Sequence, residues 1–92
     1  HPAEAAEPGL RALAVAHATH GSYKEALALL EKARDSHPDH SLTWVNLGAT
    51  YQAMGLTGQA RDAYREAIRL QPDFAEARMR LATLEAAEPR IP

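Results

Sequence analysis

Apolar and polar residues alternate along this chain with the period of a helix, and glycine or proline breaks the pattern at regular places. Leu10, Leu13, Ala14 and His17 fall at three- and four-residue steps, so they share one face of a helix. Pro8 suits the first turn of that helix, where its missing N–H is not needed. Gly21 ends it by accepting a left-handed backbone. The next stripe is Ala26, Leu27, Leu30 and Ala33, and Pro38 stops it. Ser22-Tyr23-Lys24-Glu25 has the form of a capping box at its start.

The pattern then returns. Trp44, Leu47, Gly48 and Tyr51 share a face of a helix predicted from Ser41 to Met54, with Gly55 as the stop. Thr57 is the expected cap of a helix ending near Leu70, and Pro72 closes the unit. Asp39 and Asp73, just after the prolines, stand where an N-cap is wanted. A last stretch, 75–88, has the length of one helix. Leu81 and Ala82 continue the pattern of Leu47 and Gly48. Arg78 and Glu85 replace Trp44 and Tyr51, a polar face that suits a terminal capping helix.

This recurrence is an internal repeat. A shift of 34 residues brings Leu13 onto Leu47, Gly21 onto Gly55, Ala26 onto Ala60, Ala33 onto Ala67, Pro38 onto Pro72 and Asp39 onto Asp73. The identities include both turn glycines and both prolines. The expected organisation is a linker at 1–6, repeat one at 7–40, repeat two at 41–74, a capping helix at 75–88 and a linker at 89–92. Gly48 and Ala60 are small where the two helices of a unit would cross, and Ala67 is small where the second helix would meet the last one.

Trp44-x2-Leu47-Gly48-x2-Tyr51 followed by Ala60-x3-Tyr64, Ala67 and Pro72 resembles the tetratricopeptide repeat signature, with Tyr64 where Phe is usual. Unit one is a degenerate version. The resemblance covers about residues 7–87. It implies an all-α fold of two helix-turn-helix hairpins plus a C-terminal capping helix, five helices in a right-handed α-α superhelix, or solenoid. It also implies a protein–protein interaction module, an adaptor or scaffold, that binds a peptide or protein segment on its concave groove.

Mapped onto this sequence, that groove takes Arg11, Val15, Ala18 and Thr19 from the first unit. Val45, Asn46, Ala49, Gln52 and Ala53 follow from the second, and Met79, Arg80, Thr83, Ala86 and Ala87 from the last helix. Some family members clamp a peptide carboxylate with Lys, Asn and Arg. Asn46 and Arg80 imitate part of that set, but Val15, Val45 and Ala49 sit where polar clamp residues are expected. An apolar segment, helical or extended, is therefore the expected ligand. The blander reading is solvent-exposed helix surface with small residues chosen for helix propensity.

Composition narrows the remaining classes. Ala is abundant and aromatics make up 5% of the 92 residues, which suits close-packed helices rather than a sheet sandwich. Ten basic against twelve acidic residues leave no footprint for nucleic acid or an anionic membrane. Arg61, Arg65 and Arg69 form a stripe, but Asp62 and Glu66 are interleaved and expected to pair with Arg65 and Arg69. The absence of cysteine excludes disulfides and thiolate metal sites. His17 and His20, or His37 and His40, have partial metal-ligand spacing, yet no third ligand accompanies either pair. Ser22 and Thr57 read as caps rather than nucleophiles, and no phosphate loop appears, so no catalytic, cofactor or metal residue is assigned.

No apolar run approaches the ~20 residues needed to span a bilayer. The cytoplasm is the default location, with a bacterial envelope (periplasm) left open. High Ala and Arg with little Lys points to a high-GC bacterial source. The chain opens on His1 rather than Met, so a fragment of a longer parent is one expectation. Two other roles stand beside the binding module. One is a substrate-recruiting appendage of a larger enzyme such as a glycosyltransferase. The other is a self-assembling structural module, with Leu10, Leu13 and Leu84 as contacts.

Overall fold

The computed structural model describes residues 21–87. Those residues form α1 (Tyr23–Ser36), α2 (Ser41–Ala53), α3 (Thr57–Leu70) and α4 (Ala75–Ala87), with no strand among them. The first helix expected from the sequence, with Leu10, Leu13, His17 and His20, lies outside the described residues. Each helix packs on the one before it, and α2 against α3 is the most extensive pairing. Neighbours run antiparallel. Ser41 at the start of α2 donates to Gln71 just past α3 at 2.6 Å, while Gln52 near the end of α2 accepts from Tyr64 at 2.9 Å.

The repeat is visible in the backbone itself. Gly21 and Gly55 both take positive φ, 84° and 81°. Gly55 closes α2 with a paired motif in which its N–H donates to Gln52 and that of Leu56 to Tyr51, so two carbonyls freed at the helix end are satisfied. Ser22 and Leu56, one repeat apart, share φ near −90° (−89° and −91°) with ψ of 66° and 72°. His37 and Gln71 match in the same way, each donating its N–H back to the carbonyl of Ala33 or Ala67 at 2.9 Å. Trp44 Nε1 donates to the Pro38 carbonyl, and Arg78 Nε, one repeat on, donates to the Pro72 carbonyl.

These turns correct the expected caps. Ser22 precedes α1 but makes no side-chain capping bond, and Leu56, not Thr57, holds the cap position of α3. The glycine turn delivers the chain with ψ near 70° rather than extended, which turns a cap hydroxyl away from the first-turn N–H groups. Asp39 and Asp73 lie in the proline turns, and the cap position of α2 belongs to His40.

Packing follows the small residues. On α3, Ala60, Ala63, Tyr64 and Ala67 are buried at helical spacing along one face. On α2, Ser41, Thr43, Val45, Leu47, Gly48 and Thr50 are all buried, so this helix has no single wet face at its centre. Its buried Thr50 hydroxyl is satisfied within the helix by the Asn46 carbonyl at 2.9 Å. Gly48 is required: a Cβ there would stand 2.5 Å from the Tyr64 ring. Tyr64, Ala60, Ala67, Val45, Ala77 and Leu84 form one core cluster, and Ala26, Leu30, Leu47 and Ala63 form another. Half-buried Trp44 and Tyr51 touch both and join them.

Candidate functional site

Four of the expected groove residues come together. Gln52 from the end of α2 and Met79, Arg80 and Thr83 from α4 line a depression of about 310 Å³, with Glu76 as a fifth member. Helical spacing sets the α4 contribution, since 76, 79, 80 and 83 lie three and four apart on one face. Met79 is 68% exposed and supplies the apolar surface. Arg80 Nε reaches Glu76 at 2.9 Å one turn earlier.

Beneath them lies Tyr64, fully buried, with its hydroxyl donating to the Gln52 side-chain oxygen. Burial pushes the Tyr64 phenol above its ordinary value, and the nearby Arg80 guanidinium pulls the other way. Burial also works against the charge of Arg80, but Glu76 and Tyr64 outweigh it and hold the guanidinium protonated. The arrangement is therefore a shallow cleft with an apolar thioether, a fixed amide and an ion pair. It combines hydrogen-bonding groups with apolar surface.

The other expected groove residues fall elsewhere. Val45 is fully buried in the core cluster with Tyr64, Ala77 and Leu84, so it packs the domain and lines no groove. Ala49 and Asn46 are half-buried. The Asn46 side-chain nitrogen is buried and finds no hydrogen-bond partner among the described residues. Arg11, Val15, Ala18 and Thr19 lie outside those residues. Leu84, expected at a self-association contact, is instead core, and Ala82 is exposed rather than buried. Glu76 was not anticipated, although its i,i+4 relation to Arg80 places it beside that residue on any helix. Nor was the hydroxyl of Tyr64 beneath Gln52, because that contact joins different helices.

The arginine stripe of α3 also differs from expectation. Glu66 pairs with Arg69 as predicted, at 3.0 Å, but Arg65 leaves Asp62 and reaches Glu85 of α4 at 3.1 Å. Among the described residues no group of three His, Cys, Asp or Glu side chains is arranged to hold a metal ion. No helix among them is long and apolar enough to cross a membrane.

A stack of antiparallel helix pairs with a backbone that repeats itself defines a helical-repeat protein. The chain belongs to the tetratricopeptide repeat family, whose pattern matches residues 17–84. It is similar to a tetratricopeptide repeat domain protein of Salinibacter ruber. The crystal structure of that protein superposes with a TM-score of 0.76 at 31% identity, covering 85% of this chain and 93% of that one. Its solution NMR structure gives 0.78 at 30% identity, with 89% of each chain covered. A repeat-containing thioredoxin of Arabidopsis thaliana, TTL4, is 38% identical over 64 residues. That match takes in 70% of this chain and 9% of the relative, so the chain spans a small part of that protein. Repeats of this family act in general as protein–protein interaction modules.

Proposed function

We propose that the chain binds a polypeptide segment, extended or helical, in the cleft formed by Gln52, Met79, Arg80 and Thr83. The observation that carries this reading is the convergence of two helices on one depression with a largely exposed Met79 at its wall. Methionine adapts to differently shaped apolar partners, and the Glu76–Arg80 pair offers one donor and one acceptor edge to a backbone or a polar side chain. The part of the groove mapped to Arg11, Val15 and Thr19 continues the same proposal on the first unit.

The test is a peptide-display selection against the chain, followed by titration of the selected peptides on Met79→Glu and Thr83→Arg variants. Loss of affinity by tenfold or more, with helicity unchanged, supports the cleft. Peptides that bind both variants as tightly as the parent overturn it. Val45→Glu is unsuitable as a binding control, since it strikes the core.

A second reading has its own observation. Val45 and Met79 stand 34 residues apart at equivalent places, and only Val45 is covered. Met79 therefore has the position of a residue that a further helix covers in the preceding unit. On this reading α4 is extended by neighbouring repeats of a longer parent, or meets a second copy. Sedimentation across a concentration range separates the two: a concentration-independent monomer removes the second copy. The thioredoxin relative carries such repeats in the same chain as a thioredoxin, an arrangement in keeping with the third role, an appendage of a larger enzyme.

A further inference from the structure

A second depression, of about 330 Å³, opens on another face of the α2–α3 hairpin and shares no residue with the peptide cleft. Trp44, Tyr51 and Ala63 supply its apolar lining, and Gln59, Asp62 and Glu66 its polar lining. Two aromatic rings with two carboxylates, and no cation among the described residues of the lining, are the surroundings that attract a positively charged side chain. The chain already uses one of these rings in that way: the Arg34 guanidinium sits 6.0 Å from the centroid of Trp44. Glu66 is occupied by Arg69, but Asp62 is exposed and pairs with no cation among the described residues.

We propose that this depression is a second recognition site, which takes an arginine side chain of a partner polypeptide. The guanidinium would lie against Trp44 and Tyr51 and pair with Asp62, while the Gln59 amide accepts one of its N–H groups. Arg34 is the internal competitor for the Trp44 face. The site does not depend on the Met79 cleft, and its occupation and that of the cleft can be read separately.

Trp44 is the sole tryptophan of the chain, so its fluorescence reports on this site directly. The probe is acetyl-Gly-Arg-Gly-amide, with the citrulline peptide as a control of the same shape and no charge. A saturable change in emission with a dissociation constant on the order of millimolar is expected for the arginine peptide alone, from one aromatic contact and one exposed ion pair. Asp62→Asn should weaken it about three- to fivefold, and Arg34→Ala should tighten it by a similar factor. Met79→Glu should leave it unchanged. An equal response to the citrulline peptide, or binding by Asp62→Asn that matches the parent, overturns the proposal. So does the absence of a saturable response in the Arg34→Ala variant, where the ring is freed. Asp62 is exposed, so its variant tests recognition without disturbing the core.

Discussion

Helices α2 and α4 occupy the same place in successive repeats, yet they do different work. In α2 the positions of Trp44, Val45, Leu47, Gly48 and Tyr51 are buried or half-buried. Thirty-four residues on, α4 carries Arg78, Met79, Leu81, Ala82 and Glu85, and only Leu81 of these is even half-buried. The backbone interactions are nonetheless kept: Trp44 and Arg78 each donate to the carbonyl of the preceding proline. A helical repeat thus conserves its turn geometry separately from its hydrophobic content. The turn needs a donor at that position, and the ring is needed only where helices lie on both sides to pack against it.

That contrast can be broken most forcefully at the Val45–Met79 pair. Val45→Glu puts a carboxylate in a sealed apolar cluster and should cost about 4 kcal/mol or more, enough to unfold a domain of this size. Met79→Glu at the equivalent exposed position should change stability by less than about 0.5 kcal/mol. Urea denaturation followed by circular dichroism measures both. Equal losses would mean that α4 is covered as α2 is.

Gly48 and Ala82 give the next largest difference. Gly48→Ala drives a methyl into the Tyr64 ring, and the helices must part at a cost of about 1–3 kcal/mol. Ala82 is exposed, so Ala82→Leu should be neutral within about 0.5 kcal/mol. A smaller effect tests the shared turn. Arg78→Ala removes the bond to the Pro72 carbonyl and should cost about 0.5–1.5 kcal/mol, while Arg78→Lys, which can still donate, should recover part of it.

The smallest effect is a pH dependence. Burial raises the Tyr64 phenol in the folded state, so the fold favours the neutral ring. The stability this contributes is complete below the ordinary tyrosine value near 10 and is lost as pH rises through the higher folded value. Tyr64→Phe should therefore flatten the decline of stability at alkaline pH. At neutral pH it should cost only what the bond to Gln52 contributes, about 0.5–1.5 kcal/mol. Thermal melts at pH 8 and pH 11 for both proteins check this; an unchanged alkaline slope would place the loss elsewhere. At the acid end, pairing with Arg69 holds the Glu66 carboxyl below its usual range. Its contribution is present at neutral pH and fades as pH falls into the acid range; Arg69 is exposed and Glu66 half-buried, so salt should weaken it.

The sequence alone determined the helices and their stops. Period-3.6 stripes, glycines suited to positive φ and prolines every 34 residues are local facts, and local backbone chemistry is enough to act on them. It also determined that Gly48 and Ala60 are small where the two helices of a unit cross, because a larger side chain there would push the helices apart. Glu76 beside Arg80 was within reach of the same reasoning. What only tertiary structure decided was which residues of a helix face remain open to solvent. Val45 and Met79 are both apolar and occupy the same register, yet one is core and the other is cleft. The difference lies in what packs over each, and burial by a distant segment leaves no mark in the periodicity of the helix that it covers. The same reason hid the Tyr64–Gln52 bond and sent Arg65 to Glu85 rather than to Asp62: spacing along one helix ranks neighbours on that helix, while contacts between helices depend on how the helices are set against each other.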